Sequence, residues 1–427
     1  MSDTGRTLTM PGYLPRVVED AISGALRRRG AVLVEGPRGC GKTWTARHHA
    51  RSEARLDDEG AQLVAATDPG RLLDGETPRL LDEWQNAPGL WNRVRRECDD
   101  RAVPGQFILT GSASPPDDIT RHTGTGRIAR VTMRPMSLWE MGASSGEVSL
   151  RGLFEGRSVS ALPRAEIGLG AVASLICKGG WPASLGWDEE DARQGVGDYV
   201  EEIVRADIAA ANGVRHNPVF VRRLLRSVAR NVATEAKVTK LAAEAGTDGA
   251  ASRNTVAACL DAMRRIFVVE DQPAWSVQLR SRATLRKSAK LHFVDPSLAA
   301  CLLRASPSRL LGDIATLGML FESLVVRDLR VHSAPMRAEV FHYRDDTGLE
   351  ADAIVERDDG AWIAVEVKLS PASHAVESAA RSLLRLRRKT TPGRAADLAA
   401  MLVVTSTGAA YRRPDGVQVA PITALAP

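Results

Sequence analysis

Eight consecutive residues, Gly36-Pro37-Arg38-Gly39-Cys40-Gly41-Lys42-Thr43, carry three glycines, a lysine and a hydroxyl at the spacing that cradles a polyphosphate. Gly36, Gly39 and Gly41 free the backbone to turn its N–H groups toward phosphate oxygens, and a helix N-terminus behind them adds a favourable dipole. Lys42 is placed to reach the β- and γ-phosphates and the Thr43 hydroxyl to bind Mg²⁺. The flanking pattern suits this chemistry. Ala31-Val32-Leu33-Val34-Glu35 reads as a buried strand and Thr43 to Ala50 as a helix. ATP and Mg²⁺ are the expected cofactors. A glycine turn with only a structural purpose is the weaker alternative.

Further along, Arg79-Leu80-Leu81-Asp82-Glu83 reads as an apolar strand ending in two carboxylates. Asp82 would join the Mg²⁺ shell and bind the cofactor, while Glu83 would polarise the attacking water. That pairing favours ATP hydrolysis over phosphorylation of a small molecule. Phe107-Ile108-Leu109-Thr110-Gly111-Ser112 is another buried strand with a polar end. Thr110 or Ser112 would sense the γ-phosphate, although Ser112 could equally cap a helix.

A second constellation lies near the C-terminus. Glu350-Ala351-Asp352-Ala353-Ile354-Val355-Glu356 and Ala361-Trp362-Ile363-Ala364-Val365-Glu366-Val367-Lys368-Leu369 alternate with period two around Arg357-Asp358-Asp359-Gly360, a hairpin signal. With a three-residue loop Arg357 opposes Ala361, so Asp352 opposes Glu366. Ala351, Ala353 and Val355 form one apolar face with Ile363, Val365, Val367 and Leu369, leaving Asp352, Glu366 and Lys368 on the other. Like charges facing across a hairpin destabilise it unless compensated. A divalent cation would compensate them. A polar, solvent-facing hairpin is the plainer alternative.

The aspartate followed by Glu-x-Lys on the neighbouring strand resembles the PD-(D/E)xK nuclease superfamily. There the carboxylates hold Mg²⁺ and the lysine stabilises developing charge. Gly318-Met319-Leu320-Phe321-Glu322 is similar to a helix that supplies another acidic ligand, Glu322. The N-terminal segments resemble AAA-type P-loop ATPases, in particular a prokaryotic family that joins this core to a nuclease-like C-terminal domain. The matching pieces are Tyr13-Leu14-Pro15-Arg16, the phosphate loop, Leu81-Asp82-Glu83-Trp84-Gln85, Leu109-Thr110-Gly111-Ser112, Arg127-Ile128-Ala129-Arg130 and Met133 to Glu140. The resemblance spans roughly residues 13–405. It implies that Arg127 is an arginine finger or γ-phosphate sensor, requiring a homo-oligomer if it acts on a neighbour. A surface salt bridge is the alternative.

Between these sites, Cys177-Lys178-Gly179-Gly180-Trp181-Pro182 reads as a turn between lid helices, with no chemistry assigned. Lys240 to Gly246 closes one helix, Ser252 caps the next, and Ile266 to Glu270 begins a strand, which together look like a winged-helix module. Arg253 and Asn254 would meet a DNA groove, with Arg280, Arg282, Arg286 and Lys287 on phosphates. A rigid spacer or protein-docking unit fits the same pattern.

Charge favours the DNA reading. The chain carries net +5, but residues 213–290 alone hold 15 Lys/Arg against 6 Asp/Glu. A basic stretch of this kind faces a polyanion or is simply solvated. The low aromatic content, 4%, disfavours base stacking on single strands. Five scattered cysteines lack metal-ligand spacing, and no signal peptide or membrane span is apparent, so a cytoplasmic protein with no membrane partner is expected. The expected fold is α/β multidomain. An AAA-type P-loop ATPase core (1–145) leads to a helical lid (146–212), a basic winged-helix-like module (213–290) and a C-terminal α/β restriction-nuclease-like domain (291–427).

Overall fold

The computed structural model describes residues 12–113, 124–159, 167–208, 216–246, 249, 251–277 and 288–427. The first strands are β1 (Ala31–Glu35), β2 (Ser52–Arg55), β3 (Arg79–Asp82), β4 (Phe107–Gly111) and β5 (Ile128–Thr132). They form an all-parallel sheet in the order β2-β3-β4-β1-β5. The interior strands β1 and β4 begin with four and three apolar residues, because helices cover both faces of the sheet. Ala31 and Leu33 pack with Phe107, Leu109 and the Trp91 and Val94 side of the Leu90–Arg101 helix. Val32 and Val34 pack on the other face with Ile108, Ile22 and Ala46, from the helices Glu19–Leu26 and Lys42–His49. All loops that follow the strand C-termini therefore gather at one sheet edge, where such folds bind ligands.

After the short β6 (Val148–Ser149), helices Leu169–Lys178, Glu189–Glu202, Pro218–Arg230, Val238–Ala245 and Arg253–Arg265 build the middle of the chain. Two strands follow, β7 (Val269–Gln272) and β8 (Lys290–Phe293), paired antiparallel. The strand expected from Ile266 starts three residues later. Phe267 takes a left-handed φ of 57° and Val268 N–H donates to Met263 O, so these residues close the preceding helix. Gly246 does end its helix, but with an ordinary φ of −68°. Its reason is space, since a Cβ there would stand 1.8 Å from Gly249 O.

The C-terminal sheet contains β9 (Ala338–Arg344), β10 (Glu350–Arg357), β11 (Trp362–Lys368), β12 (Leu398–Thr405), β13 (Tyr411–Arg412) and β14 (Gln418–Pro421), in the order β13-β14-β12-β11-β10-β9. The helix Ser373–Lys389 crosses between β11 and its parallel neighbour β12. The last strand, β15 (Leu425–Ala426), pairs with β6, so the C-terminus returns to the connector.

Two expected boundaries do not separate packed units. A cut at 290/291 falls inside β8, and Pro296–Leu302 packs on the middle helices Leu169–Lys178, Glu189–Glu202 and Pro218–Arg230. One continuous core runs from Leu138 through Val172, Leu224 and Leu260 to Phe321, Val365 and Leu425. The connector, the middle helices and one face of the C-terminal sheet thus share their apolar interior.

Candidate functional site

The phosphate loop emerges from β1 and enters the helix Lys42–His49 through Gly41, whose left-handed φ of 99° aims the first helical N–H groups back into the turn. Gly36 is fixed by close approach, because a Cβ there would lie 2.0 Å from Met133 O. The Lys42 ammonium stands inside the loop and donates to Pro37 O at 2.8 Å. Arg16, only 7% exposed, locks this geometry. It donates to Cys40 O at 2.7 Å, to Arg134 O at 2.8 Å and to Glu140 at 3.0 Å. Arg16 and Glu140 stand 124 residues apart, and neither segment by itself reveals the pairing. A buried arginine needs an acid, and the only sequence signal was the charge of each.

At the end of β3, Asp82 Oδ1 accepts from Thr43 Oγ1 at 2.9 Å and from Thr110 Oγ1 at 2.5 Å. Two hard oxygens so placed suit Mg²⁺, so Thr43 and Asp82 fit the expected metal. Thr110 is fully buried and also accepts from Glu83 N–H at 3.1 Å. It therefore orients both acids from beneath. Glu83 adopts a left-handed φ of 57°, and its carboxylate accepts from Gln85 and, at 3.3 Å, from Ser112 Oγ. Ser112 thus supports Glu83. Gln85 was missed as a partner, since a neighbour two residues away is reached only through the tight turn after β3.

A cavity of about 1000 Å³ opens above the loop, with Lys42, Thr43, Asp82 and Glu83 on its floor. Its far wall includes Pro182, Ala183 and Leu185, from the Gly-Gly-Trp-Pro turn to which sequence reasoning gave no chemistry. The turn is clamped from two sides. Gly180 O accepts from Met136 N–H at 2.7 Å, and Gly180 N–H donates to Asp295 Oδ2 at 3.0 Å. A Cβ on Gly180 would stand 2.1 Å from Met136 O.

Arg127 lies elsewhere. Its carbonyl accepts from Ala31 N–H, at the start of β1, whereas the phosphate loop leaves the other end. Five residues at about 3.3 Å each put roughly 16 Å between them. The exposed guanidinium pairs with Asp99 Oδ1 at 2.7 Å. The length of the sheet thus lies between Arg127 and the phosphate loop of its own chain.

Residues 28–142 match a family described as AAA domain. This segment is thus similar to AAA-type domains. Residues 170–309 and 317–425 match two families described as domains of unknown function, DUF8612 and DUF4143. Mycobacterium tuberculosis uncharacterized protein Rv2008c and Mycobacterium bovis uncharacterized protein Mb2031c are each 27% identical over 337 residues, 78% of this chain and 69% of the relative. Among solved structures, the Walker-type ATPase PABY2304 of Pyrococcus abyssi is similar with TM-score 0.43 and 14% identity, over 70% of this chain and 99% of its own. The replication initiator DnaA bound to AMPPCP and single-stranded DNA is more distant, with TM-score 0.29 and 14% identity over 61% and 93%.

Beyond the AAA-type domain, the hairpin register runs from Ala353↔Val365 to Glu356↔Trp362, and its continuation sets Asp352 opposite Glu366. The expected polar face is not solvent-facing. Ile354, Trp362 and Ala364 are buried beneath Val376, Ala380 and Leu383 of the Ser373–Lys389 helix. Glu366 is accordingly only 5% exposed. Burial, followed by the charge of Asp352, pushes its carboxyl up to about 8, with Lys368 offsetting part of the rise. Burial and Asp352 likewise push Glu322 up to about 7.

Lysines compensate this cluster. Lys368 Nζ lies 2.7 Å from Glu366 Oε2 and 4.0 Å from Asp352 Oδ2. Lys290, absent from the sequence-based site, lies 2.6 Å from Glu322 Oε1 and 4.0 Å from Asp352 Oδ1. Among the described residues, no group of three or more His, Cys, Asp or Glu is arranged to hold a metal ion. The expected Mg²⁺ set of Glu322, Asp352 and Glu366 therefore does not fit a cation as it stands, because ammonium groups take up its charge.

In the middle, Arg253 and Asn254 are exposed at the start of the Arg253–Arg265 helix, while Arg280, Arg282, Arg286 and Lys287 lie outside the described residues. All five cysteines are free. Among the described residues no helix is long and apolar enough to cross a membrane.

Proposed function

We propose that this chain binds and hydrolyses ATP and uses the resulting change to act on DNA. The contact that carries the reading is Thr43 Oγ1 to Asp82 Oδ1 at 2.9 Å, on the floor of the cavity beside Lys42 and Glu83. Bound Mg²⁺ would neutralise charge between the β- and γ-phosphates. The loop N–H groups and Lys42 hold the phosphates, and Thr43 and Asp82 present oxygens to the ion. Glu83, fixed by Gln85 and Ser112, accepts hydrogen bonding from the attacking water and turns it toward the γ-phosphorus. Arg127 would complete such a site only from a second copy, which makes a homo-oligomer part of the proposal.

Action on DNA rests on three observations. Residues 213–290 hold the chain's excess positive charge. Three helices followed by the β7–β8 pair match the order of a winged helix, with Arg253 and Asn254 exposed on its third helix. The C-terminal helix, three antiparallel strands, crossover helix and parallel strand have the order of a PD-(D/E)xK fold, and Asp352, Glu366 and Lys368 meet at one place in it. No cleavage step is assigned to that place.

ATP turnover and duplex binding should be measured together, for the parent and for Lys42→Ala, at low and moderate salt. Turnover absent from the parent would sink the hydrolysis reading. Duplex binding absent even at low salt would remove the DNA reading and favour an ATP-controlled switch that docks a protein.

A further inference from the structure

Met136 and the turn residues Pro182, Ala183 and Leu185 line the cavity above the phosphate loop, and both segments are anchored on one group of buried charges. Gly180 N–H, two residues before Pro182, donates to Asp295 Oδ2 at 3.0 Å. Leu138 N–H, two residues after Met136, donates to Asp328 Oδ2 at 3.0 Å. Arg327 joins the two acids. Its Nη1 donates to Asp295 Oδ2 at 2.8 Å, while Nε and Nη2 donate to Asp328 Oδ1 at 2.9 and 2.7 Å. All three side chains are buried.

The turn has little room to settle elsewhere. A Cβ on Gly179 would stand 2.4 Å from Ser297 Oγ and 2.7 Å from Asp295 Oδ1. Ser297 Oγ accepts from Trp181 Nε1 at 3.0 Å, and Ser297 N–H donates to Asp295 Oδ1 at 2.9 Å. The matched segments 28–142, 170–309 and 317–425 contribute Leu138, Asp295 and Arg327, so all three meet at this contact. A buried ion group adds little net stability over apolar packing, because desolvation offsets the attraction. Its bonds are directional, however, and a planar guanidinium spans two carboxylates at fixed angles.

We propose that Arg327 is a positioning residue for the nucleotide site, holding both wall segments in place through Asp295 and Asp328. The inference rests on the reading that this cavity binds ATP. Arg327 does not line the cavity, so it acts on the nucleotide only through the two walls. Residues 28–142 by themselves therefore do not complete the site: its far side is fixed by a charge on the helix Ile314–Ser333.

The test is titration of the full-length protein with a fluorescent ATP analogue and Mg²⁺, reading affinity and stoichiometry separately. The proteins compared are the parent, Arg327→Lys, which keeps the charge but loses the fork, and Asp328→Asn, which keeps an acceptor for Leu138 N–H. The expected result is a Kd raised about tenfold in the variants at near-parental stoichiometry. A merely structural role would lower the stoichiometry, through loss of folded protein, and leave Kd unchanged. That outcome, or a parental Kd at full stoichiometry, overturns the role of Arg327 and leaves the ATP reading standing. A parent that binds no nucleotide overturns both. Where neither variant folds, hydrogen exchange of the parent decides. Saturating nucleotide should slow exchange of residues 295–298 and 326–329, which lie outside the cavity lining. Protection confined to the phosphate loop and the cavity walls overturns the proposal.

Discussion

Arg134, just beyond the end of β5, reaches out of the AAA-type domain to Glu270 on β7, with Nη2 2.8 Å from Oε1. Arg330 meets the second oxygen of the same carboxylate at 2.7 Å. Burial opposes ionisation there, but the two arginines outweigh it and hold the Glu270 carboxyl at about 2. Neutralising Glu270 would leave two guanidinium groups facing each other at the junction. Glu270→Gln is expected to cost about 2–3 kcal/mol, somewhat below the roughly 3–5 of a fully enclosed pair. Denaturant unfolding checks it, and a loss no larger than that of an exposed control would count against the junction.

Lys42 and Glu83 share a floor but not a role. Lys42→Ala should abolish both nucleotide binding and turnover, because the loop loses the ammonium inside it. Glu83→Gln keeps the shape and removes the base, so binding should persist while turnover falls by about 10²–10³. Fluorescent-nucleotide titration beside phosphate release separates them. Equal loss of binding in both variants would contradict the assignment of Glu83.

Gly180 sits where a methyl group cannot, 2.1 Å from Met136 O, and its neighbour Pro182 forms part of the cavity wall. Gly180→Ala should push the turn off the cavity and weaken ATP binding by about tenfold or more. Gly186→Ala provides the control, because an added Cβ there meets open space. Similar affinities in the two variants would mean that the turn does not shape the nucleotide site.

Arg127 faces away from its own phosphate loop, so a catalytic effect would have to come from a second copy. Specific ATPase activity should then rise with protein concentration in the parent and stay low in Arg127→Ala, with single-site nucleotide affinity unchanged. A parent whose specific activity is independent of concentration, and equal to that of the variant, reduces Arg127 to its salt bridge with Asp99.

The acidic cluster gives stability a pH dependence of definite sign. Glu322 and Glu366 have carboxyls raised from 4.5 to about 7 and about 8. The folded chain therefore binds more protons than the unfolded chain in that window, and stability falls as pH rises from about 4.5 to 8. Glu366→Gln removes the larger of these titrations. Its Tm should decline less steeply than the parent's between about pH 5 and 8. Parallel Tm profiles would show that Glu366 does not supply the slope.

Much of this molecule was legible as local pattern. The phosphate loop with its strand and helix, the carboxylates closing β3, and the hairpin register that opposes Asp352 to Glu366 are set by residues close in sequence. Period, turn chemistry and glycine spacing act over a few residues, so one segment contains its own explanation. What the sequence left open lies between distant segments. Arg16 with Glu140, Gly180 against Met136, and Lys290 among Glu322 and Asp352 are joined only when helices and sheets pack. Packing also buried the face of β10 and β11 that alternation alone would assign to solvent. A charge is written in the sequence, but its desolvation and its partner are properties of the folded interior, and those decide whether a carboxylate meets water, a metal ion or a lysine.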